Sequence, residues 1–287
     1  MAQILDIKQD FDLGNNFLLE TATKLAGLLN DEYRVVIKYD SQDYNFPNDN
    51  KKNILFATSR ETHDFPRYCE NENVYMIFHN YSSLDHWGYP NHRPNVVPLP
   101  LGPFINNLQD KVEEIKPFYE REYDFCFVGQ IPHTGTRDKF KRCLDRLLEE
   151  TGDKFKYYVK YTENFGTGLD HEEYIELLNN SKICLCPQGA FSEESFRFFE
   201  SVSLGCIPMI ERLPKFWYYE KAPICFARWE FLDKYLSKSL NFLHSQEANI
   251  VFDQVVLYNN TVLNSDWLAM FYKNEIERYN NVLTAEL

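Results

Sequence analysis

Between residues 123 and 226 short apolar runs alternate with segments of helical spacing. Residues 123–128 (YDFCFV) are apolar and end at Gly129. Residues 137–149 then repeat Phe140, Leu144, Leu147 and Leu148 at intervals of three and four, the mark of one helical face. The spacing predicts further strands at 155–159, 183–186, 206–210 and 224–226 and further helices at 171–179 and 196–204. Gly205 closes the last helix, as glycine does where the chain must turn left-handed. Strand–helix alternation of this sort implies a parallel sheet with helices covering both faces. Ligands of such sheets bind beyond the carboxyl ends of the strands. The first half carries a looser version of the same pattern, with strands predicted at 33–37, 54–57 and 74–78 and a helix at 17–29. Residues from about 249 to 280 read as helix in two pieces.

Residues 90–103 (PNHRPNVVPLPLGP) hold five of the thirteen prolines, so this passage is extended or looped. The polar stretch KVEEIKPFYEREYD follows it. A chain of 287 residues exceeds what one core usually spans. The boundary is placed near residue 118, giving a domain at 1–118, a second at 119–262 and a C-terminal helix at 263–287 packing back toward the first.

With 30 basic and 43 acidic residues the formal net charge is −13. Its field repels phosphate polymers and anionic lipid, so nucleic acid is excluded as a partner and bound phosphate must sit in a local pocket. No apolar run reaches the roughly 20 residues of a membrane span. The beginning, MAQILDIKQDFDLG, lacks a signal pattern, and a cytoplasmic location is expected. The seven cysteines read as buried, reduced thiols, and Cys184-x-Cys186 lacks the spacing of a zinc site.

The segment 188–210 (QGAFSEESFRFFESVSLGCIPMI) is the richest in chemistry. A strand runs into Pro187 and a turn at Gly189, and Ser195 is placed to N-cap the next helix. That helix starts at the carboxyl edge of the sheet with its N–H groups and positive dipole end exposed to an anion. Arg197 lies in its first turn, and Glu200 one turn above can accept hydrogen bonds from a ribose diol. The same spacing also fits a surface ion pair between Arg197 and Glu200.

ESFRFFESVSLGCIPMI resembles the most specific motif of the exostosin-type glycosyltransferases. YIELLNNSKICLCPQG resembles the approach to that motif, and YDFCFVGQIPHTGTRDKF the first strand and Gly-turn of the donor domain, with Arg137 at the family's arginine position. RPNVVPLPLG resembles the segment joining the halves, and KNILFATSRETHDFPRY an N-terminal segment with a His-Asp pair. The similarity covers roughly residues 50–225 and is strongest over 174–210. It implies an α/β GT-B fold, two Rossmann-like domains facing each other across a cleft that holds a nucleotide sugar. It also implies a donor site of Gly129, Arg137, Gly189, Ser195, Phe196, Arg197 and Glu200. Glu200 would hold the ribose of UDP, and Ser195, Arg197 and the helix N-terminus the diphosphate. Arg137 would neutralise the leaving group, and Gly129 would let the backbone approach the phosphates.

Sugar transfer needs a stabilised leaving diphosphate and a deprotonated acceptor hydroxyl. Arginines and oriented N–H groups can do the first without a metal, and a carboxylate or imidazole the second. Asp64, aligned with the family's His-Asp, is the first choice of base. His63 and His79 are rivals, as are Asp85 and His86, which with Asp12 are also assigned to the acceptor side. The Asp10-Phe-Asp12 string lies too near the start to be the metal motif of the other major glycosyltransferase fold, and no metal or cofactor is expected. The resemblance thus implies an inverting, metal-independent transferase that moves a sugar, xylose preferred, from a UDP-sugar to a glycan hydroxyl. Signal-free chains of this kind resemble viral xylosyltransferases more than anchored family members. The expected partners are the UDP-sugar and a glycan, with no membrane span and a monomer or weak oligomer. Two other readings stay open: a non-catalytic nucleotide-sugar or glycan-binding subunit, and a retaining GT-B enzyme.

Overall fold

The computed structural model describes residues 1–7, 16–39, 46–47, 49–58, 72–80, 95–105, 108, 115–131, 135–164, 167–189, 194–212, 216–245 and 248–285. They form two compact units, Met1–Gly102 with Asn260–Leu287, and Pro103–Asn259. Among the described residues there are ten strands and seven α-helices, a mixed α/β fold with two parallel sheets of the GT-B-like kind. No described helix is long and apolar enough to cross a membrane.

The first unit holds a five-stranded parallel sheet of β1 (Gln3–Ile7), β2 (Tyr33–Tyr39), β3 (Lys52–Thr58), β4 (Val74–His79) and β5 (Val96–Pro98), paired in that order. The central strands are apolar on both faces. Val35, Val36, Ile37, Ile54, Leu55, Phe56, Met76, Ile77 and Phe78 are all buried, as a sheet covered on both sides requires. Pro98 lies on the edge strand, where a missing N–H does not break a ladder. Helix α1 (Asn16–Leu28) buries Leu18, Ala22 and Leu25 at helical intervals. The last helix of the chain, α7 (Ser265–Ala285), belongs to this unit. Its Tyr272 ring lies 4.2 Å from that of Phe78 and 6.0 Å from that of Phe56. Farther along α7, the Asn280 side chain donates to the Tyr33 hydroxyl (3.0 Å) and accepts from Lys52 Nζ (3.3 Å) and the Tyr75 hydroxyl.

The second unit holds β6 (Tyr123–Gln130), β7 (Tyr157–Thr162), β8 (Ser181–Leu185), β9 (Ile207–Ile210) and β10 (Cys225–Phe226), all parallel in the order β10-β9-β8-β6-β7. Its helices are α2 (Thr136–Thr151), α3 (His171–Asn179), α4 (Phe196–Ser203), α5 (Leu232–Leu243) and α6 (Ala248–Asn260). Phe125 and Phe127 of β6 are buried with Phe140 and Leu144 of α2, Leu236 of α5 and Val255 of α6. The buried Arg121 ties the layers together, donating to the carbonyls of Leu178, Ser181 and Leu204 at 2.8–3.2 Å. Gly205 has φ +70°, and a Cβ there would stand 2.7 Å from Arg121 Nη2, so both backbone and space call for glycine.

Three expectations are corrected. The division falls at Gly102/Pro103 rather than near 118, because Phe118 is buried in the core of the second unit. The Pro-rich passage, not the charged stretch after it, ends the first unit. β1 is an additional strand, and β7 begins at Tyr157 rather than at 155.

Candidate active site

In the second sheet β6 lies between β7 and β8. After β6 the chain turns through α2 to β7 on one side. After β8 it turns through α4 to β9 on the other. The carboxyl ends of β6 and β8 therefore border the topological switch point, where open parallel sheets leave a crevice for ligands. Helices α2 and α4 both begin at this edge, and each delivers an arginine to it.

The two arginines bind crosswise. Arg197, from the helix after β8, donates through Nε (3.1 Å) and Nη2 (2.8 Å) to the carbonyl of Val128 near the end of β6. Its guanidinium lies 4.9 Å from the centre of the Phe127 ring, a cation–π contact. Arg137, from the helix after β6, donates through Nε to the carbonyl of Gln188 beyond β8 (2.8 Å) and through Nη1 to that of Gln130 (3.0 Å). Each arginine thus carries its charge to the strand end that the other helix follows. Beyond the ends of β8 and β9 a small pocket is lined by Pro187, Gln188, Glu211, Arg212 and Trp229. Glu211 accepts from Lys139 Nζ at 3.0 Å, and Lys139 also pairs with Glu230 at 2.7 Å.

Gly129 meets the side chain of Arg197. It lies inside strand β6, and a Cβ added to it would collide with Arg197 Nη2. The missing side chain makes room for the guanidinium.

Glu200 is buried, 6% exposed. Its carboxylate accepts from the Tyr174 hydroxyl at 3.2 Å. Burial raises its pKa, opposed by the Arg197 charge and by the Tyr174 bond. Among the described residues no hydrogen bond joins Arg197 to Glu200, so the surface ion pair is not formed. Ser195 occupies the N-cap position of α4 with extended backbone, but its side chain makes no capping bond. The cap is made by the main chain, Phe198 N–H donating to Ser195 O at 3.1 Å. Phe196 meets the Phe104 ring edge-on at 5.5 Å, and Gly189 is buried in the turn after β8.

His79 ends β4 in the first unit. Burial pushes its pKa down to about 3, so its imidazole is neutral at physiological pH and a weak base. Asp64, His63, Asp85, His86 and Asp12 lie outside the described residues. Among those described, no group of three or more His, Cys, Asp or Glu side chains is arranged to hold a metal ion.

Sequence reasoning missed the groups that hold the site. The Val128 and Gln188 carbonyls are main-chain groups that any residue supplies. Tyr174 reads as one more aromatic on an amphipathic helix.

No curated protein matches the chain in a sequence comparison. The model of the exostosin GT47 domain matches residues 38–212, more than half of the chain and all of β6, β8, α4 and both arginines. The chain therefore belongs to the exostosin GT47 family and is a glycosyltransferase.

Proposed function

We propose that this glycosyltransferase moves a sugar, xylose by preference, from a UDP-sugar to a hydroxyl of a glycan, with inversion and without a metal. The observation that carries the reading is the crossed pair Arg137 and Arg197 at the switch point, two fixed positive charges where the leaving diphosphate would gather its negative charge. Preorganised donors of this kind stabilise a charge that develops in the transition state without reorganising at that moment. The first turn of α4, with Ser195 and Phe196 at its start, adds N–H groups on the same edge. Glu200 serves the ribose, and Gly189 permits the turn that brings β8 to α4.

In the proposed step the acceptor oxygen attacks the anomeric carbon from the face opposite the diphosphate. The new C–O bond forms as the bond to the diphosphate breaks, and UDP leaves with that electron pair. The hydroxyl proton goes to Asp64, which the family resemblance favours. His79 is the weaker candidate, because its burial keeps the imidazole from holding a proton. Asp12, Asp85 and His86 are assigned to acceptor binding.

A second reading, binding without turnover, draws on the engagement of Arg197 and Glu200 by protein groups. One experiment separates them. The chain is incubated with UDP-xylose, UDP-glucuronic acid, UDP-galactose or UDP-arabinose and a glycan acceptor, with and without EDTA. UDP release and the anomeric configuration of the product are followed by NMR. EDTA-insensitive release with inverted product is expected. Release that EDTA abolishes would remove the metal-free step, retained configuration the inversion, and UDP binding without release the transfer itself.

A further inference from the structure

Cys186 N–H donates to the Met209 carbonyl at 2.8 Å, so β8 and β9 stay paired to their ends. Just beyond, Gln188 on one side and Glu211 and Arg212 on the other line the small pocket, and Trp229 backs it. The indole is buried and packs edge-on against Phe140 at 4.9 Å, which fixes that wall. About 10 Å³ is open inside, room for one water or one hydroxyl oxygen and not for a sugar ring. Glu211 is half-buried, and its Oε1 accepts from Lys139 Nζ of α2 at 3.0 Å. Lys139 is itself held by Glu230 at 2.7 Å, so the carboxylate is anchored at one oxygen. Among the described residues Glu211 Oε2 accepts no hydrogen bond, and the exposed Arg212 makes no ion pair.

An anchored carboxylate with an open oxygen, beside a guanidinium, suits two neighbouring hydroxyls, of which one donates to the acid and the other accepts from the arginine. A phosphate or a sugar carboxylate donates nothing, and the acid repels it. Arg137 decides which part of a donor comes here. Its Nε donates to the Gln188 carbonyl at 2.8 Å, so the guanidinium proposed for the leaving phosphate borders the same pocket. In a UDP-sugar the transferred sugar is bonded to the outer phosphate and the ribose to the inner one, so the sugar and not the nucleoside reaches the pocket. We infer that Glu211 and Arg212 form the subsite for the transferred sugar: one sugar hydroxyl enters the pocket and donates to Glu211, a neighbouring one accepts from Arg212, and the ring lies across the mouth. The inference rests on the proposed UDP-sugar donor and on the role given there to Arg137.

Isothermal titration of the full chain with UDP and with each of the four UDP-sugars named above, without an acceptor, tests this. For a neutral UDP-sugar that binds, Glu211→Ala weakens binding about tenfold, the size of one hydrogen bond to a charged group, and leaves UDP within about twofold. Arg212→Gln does the same. Among monodeoxy forms of that sugar, one binds the wild type about tenfold more weakly and loses nothing further in Glu211→Ala. Melting curves confirm that each variant is folded, and Glu211→Gln carries the same comparison where the Ala variant unfolds. Wild-type chain that binds none of the UDP-sugars defeats the donor reading and the inference with it. Wild-type chain that takes only UDP-glucuronic acid, or a UDP-sugar affinity that Glu211→Ala leaves unchanged or weakens equally with that of UDP, defeats the inference alone. Monodeoxy sugars that all keep the full Glu211→Ala loss defeat the seated hydroxyl. An Arg212→Gln variant that loses UDP as well places Arg212 on the diphosphate and removes it from the sugar subsite.

Discussion

The guanidinium of Arg197 occupies the space that a side chain at Gly129 would need. Gly129→Ala therefore pushes Arg197 off the Val128 carbonyl or bends β6. Overpacking of this kind costs about 1–3 kcal/mol, and the melting temperature falls. Gly27 supplies the opposite case. It lies in α1, and a Cβ there meets nothing within 4 Å. Gly27→Ala should stabilise the chain by about 0.5–1 kcal/mol through helix propensity. Thermal melts of the two variants check both signs, and equal shifts would show that the space at Gly129 is not what matters there.

Arg197→Lys keeps the charge and loses the fork. One ammonium cannot reproduce the paired Nε and Nη2 bonds to Val128 while lying over Phe127. Under the proposed function kcat/KM for the UDP-sugar falls about 100-fold, the size seen when one preorganised donor is removed. Stability falls by about 1–2 kcal/mol, the net worth of a hydrogen bond to a charged group. Steady-state kinetics beside urea titration separates the two effects. Wild-type turnover in a destabilised Lys variant would make Arg197 a brace of β6 only.

The parallel sheet of the second unit was legible in the sequence because its strands are buried on both faces, as YDFCFV and ICLCP show, and its helices carry regular spacing. The position of α4, its closure at Gly205 and the presence of Arg197 at the strand edge were legible for the same reason, whereas Arg137 was expected there from the family resemblance. What each arginine touches was not. Arg197 meets Val128, a residue 69 positions away in the chain, through a carbonyl that carries no side-chain signature. Tyr174 is one of five residues facing inward or partly inward on a nine-residue helix, and nothing in its spacing marks the acid it meets 26 positions later. The glycine at 129 was read as a phosphate loop because glycine is permissive. Only the fold shows that its freedom is spent on space rather than on φ.

His79 makes the first unit acid-sensitive. Its pKa falls from 6.5 in the unfolded chain to about 3 on burial. Between those values the unfolded chain binds the proton and the folded chain does not, so stability is lost as pH falls through that window. Linkage puts the loss from this residue at about 2 kcal/mol by pH 5. Replacing it with a side chain that does not titrate, His79→Gln, flattens the slope between pH 7 and 5 by that amount. Urea titrations of both proteins at the two pH values measure the difference, and parallel slopes would show that His79 is already charged in the folded chain.

Tyr272 tests whether the C-terminal helix is part of the first core or an appendage. The ring is fully buried and lies against both Phe78 and Phe56, the aromatic side chains on one face of β3 and β4. Leu268 and Ile276, one turn before and after on α7, are buried with it. Deleting a buried aromatic ring costs about 3–5 kcal/mol, so Tyr272→Ala should lower the urea midpoint of the first unit sharply. Tyr272→Phe keeps the ring and should cost far less, because the contact of its hydroxyl to the Pro98 carbonyl is long, 3.5 Å. Removing α7 altogether exposes Phe56 and Phe78 to water, and the truncated chain should bind a hydrophobic dye and lose the near-ultraviolet signal of its aromatic core. A Tyr272→Ala variant as stable as the wild type would mean that strands β2 to β4 hold their apolar face without the helix.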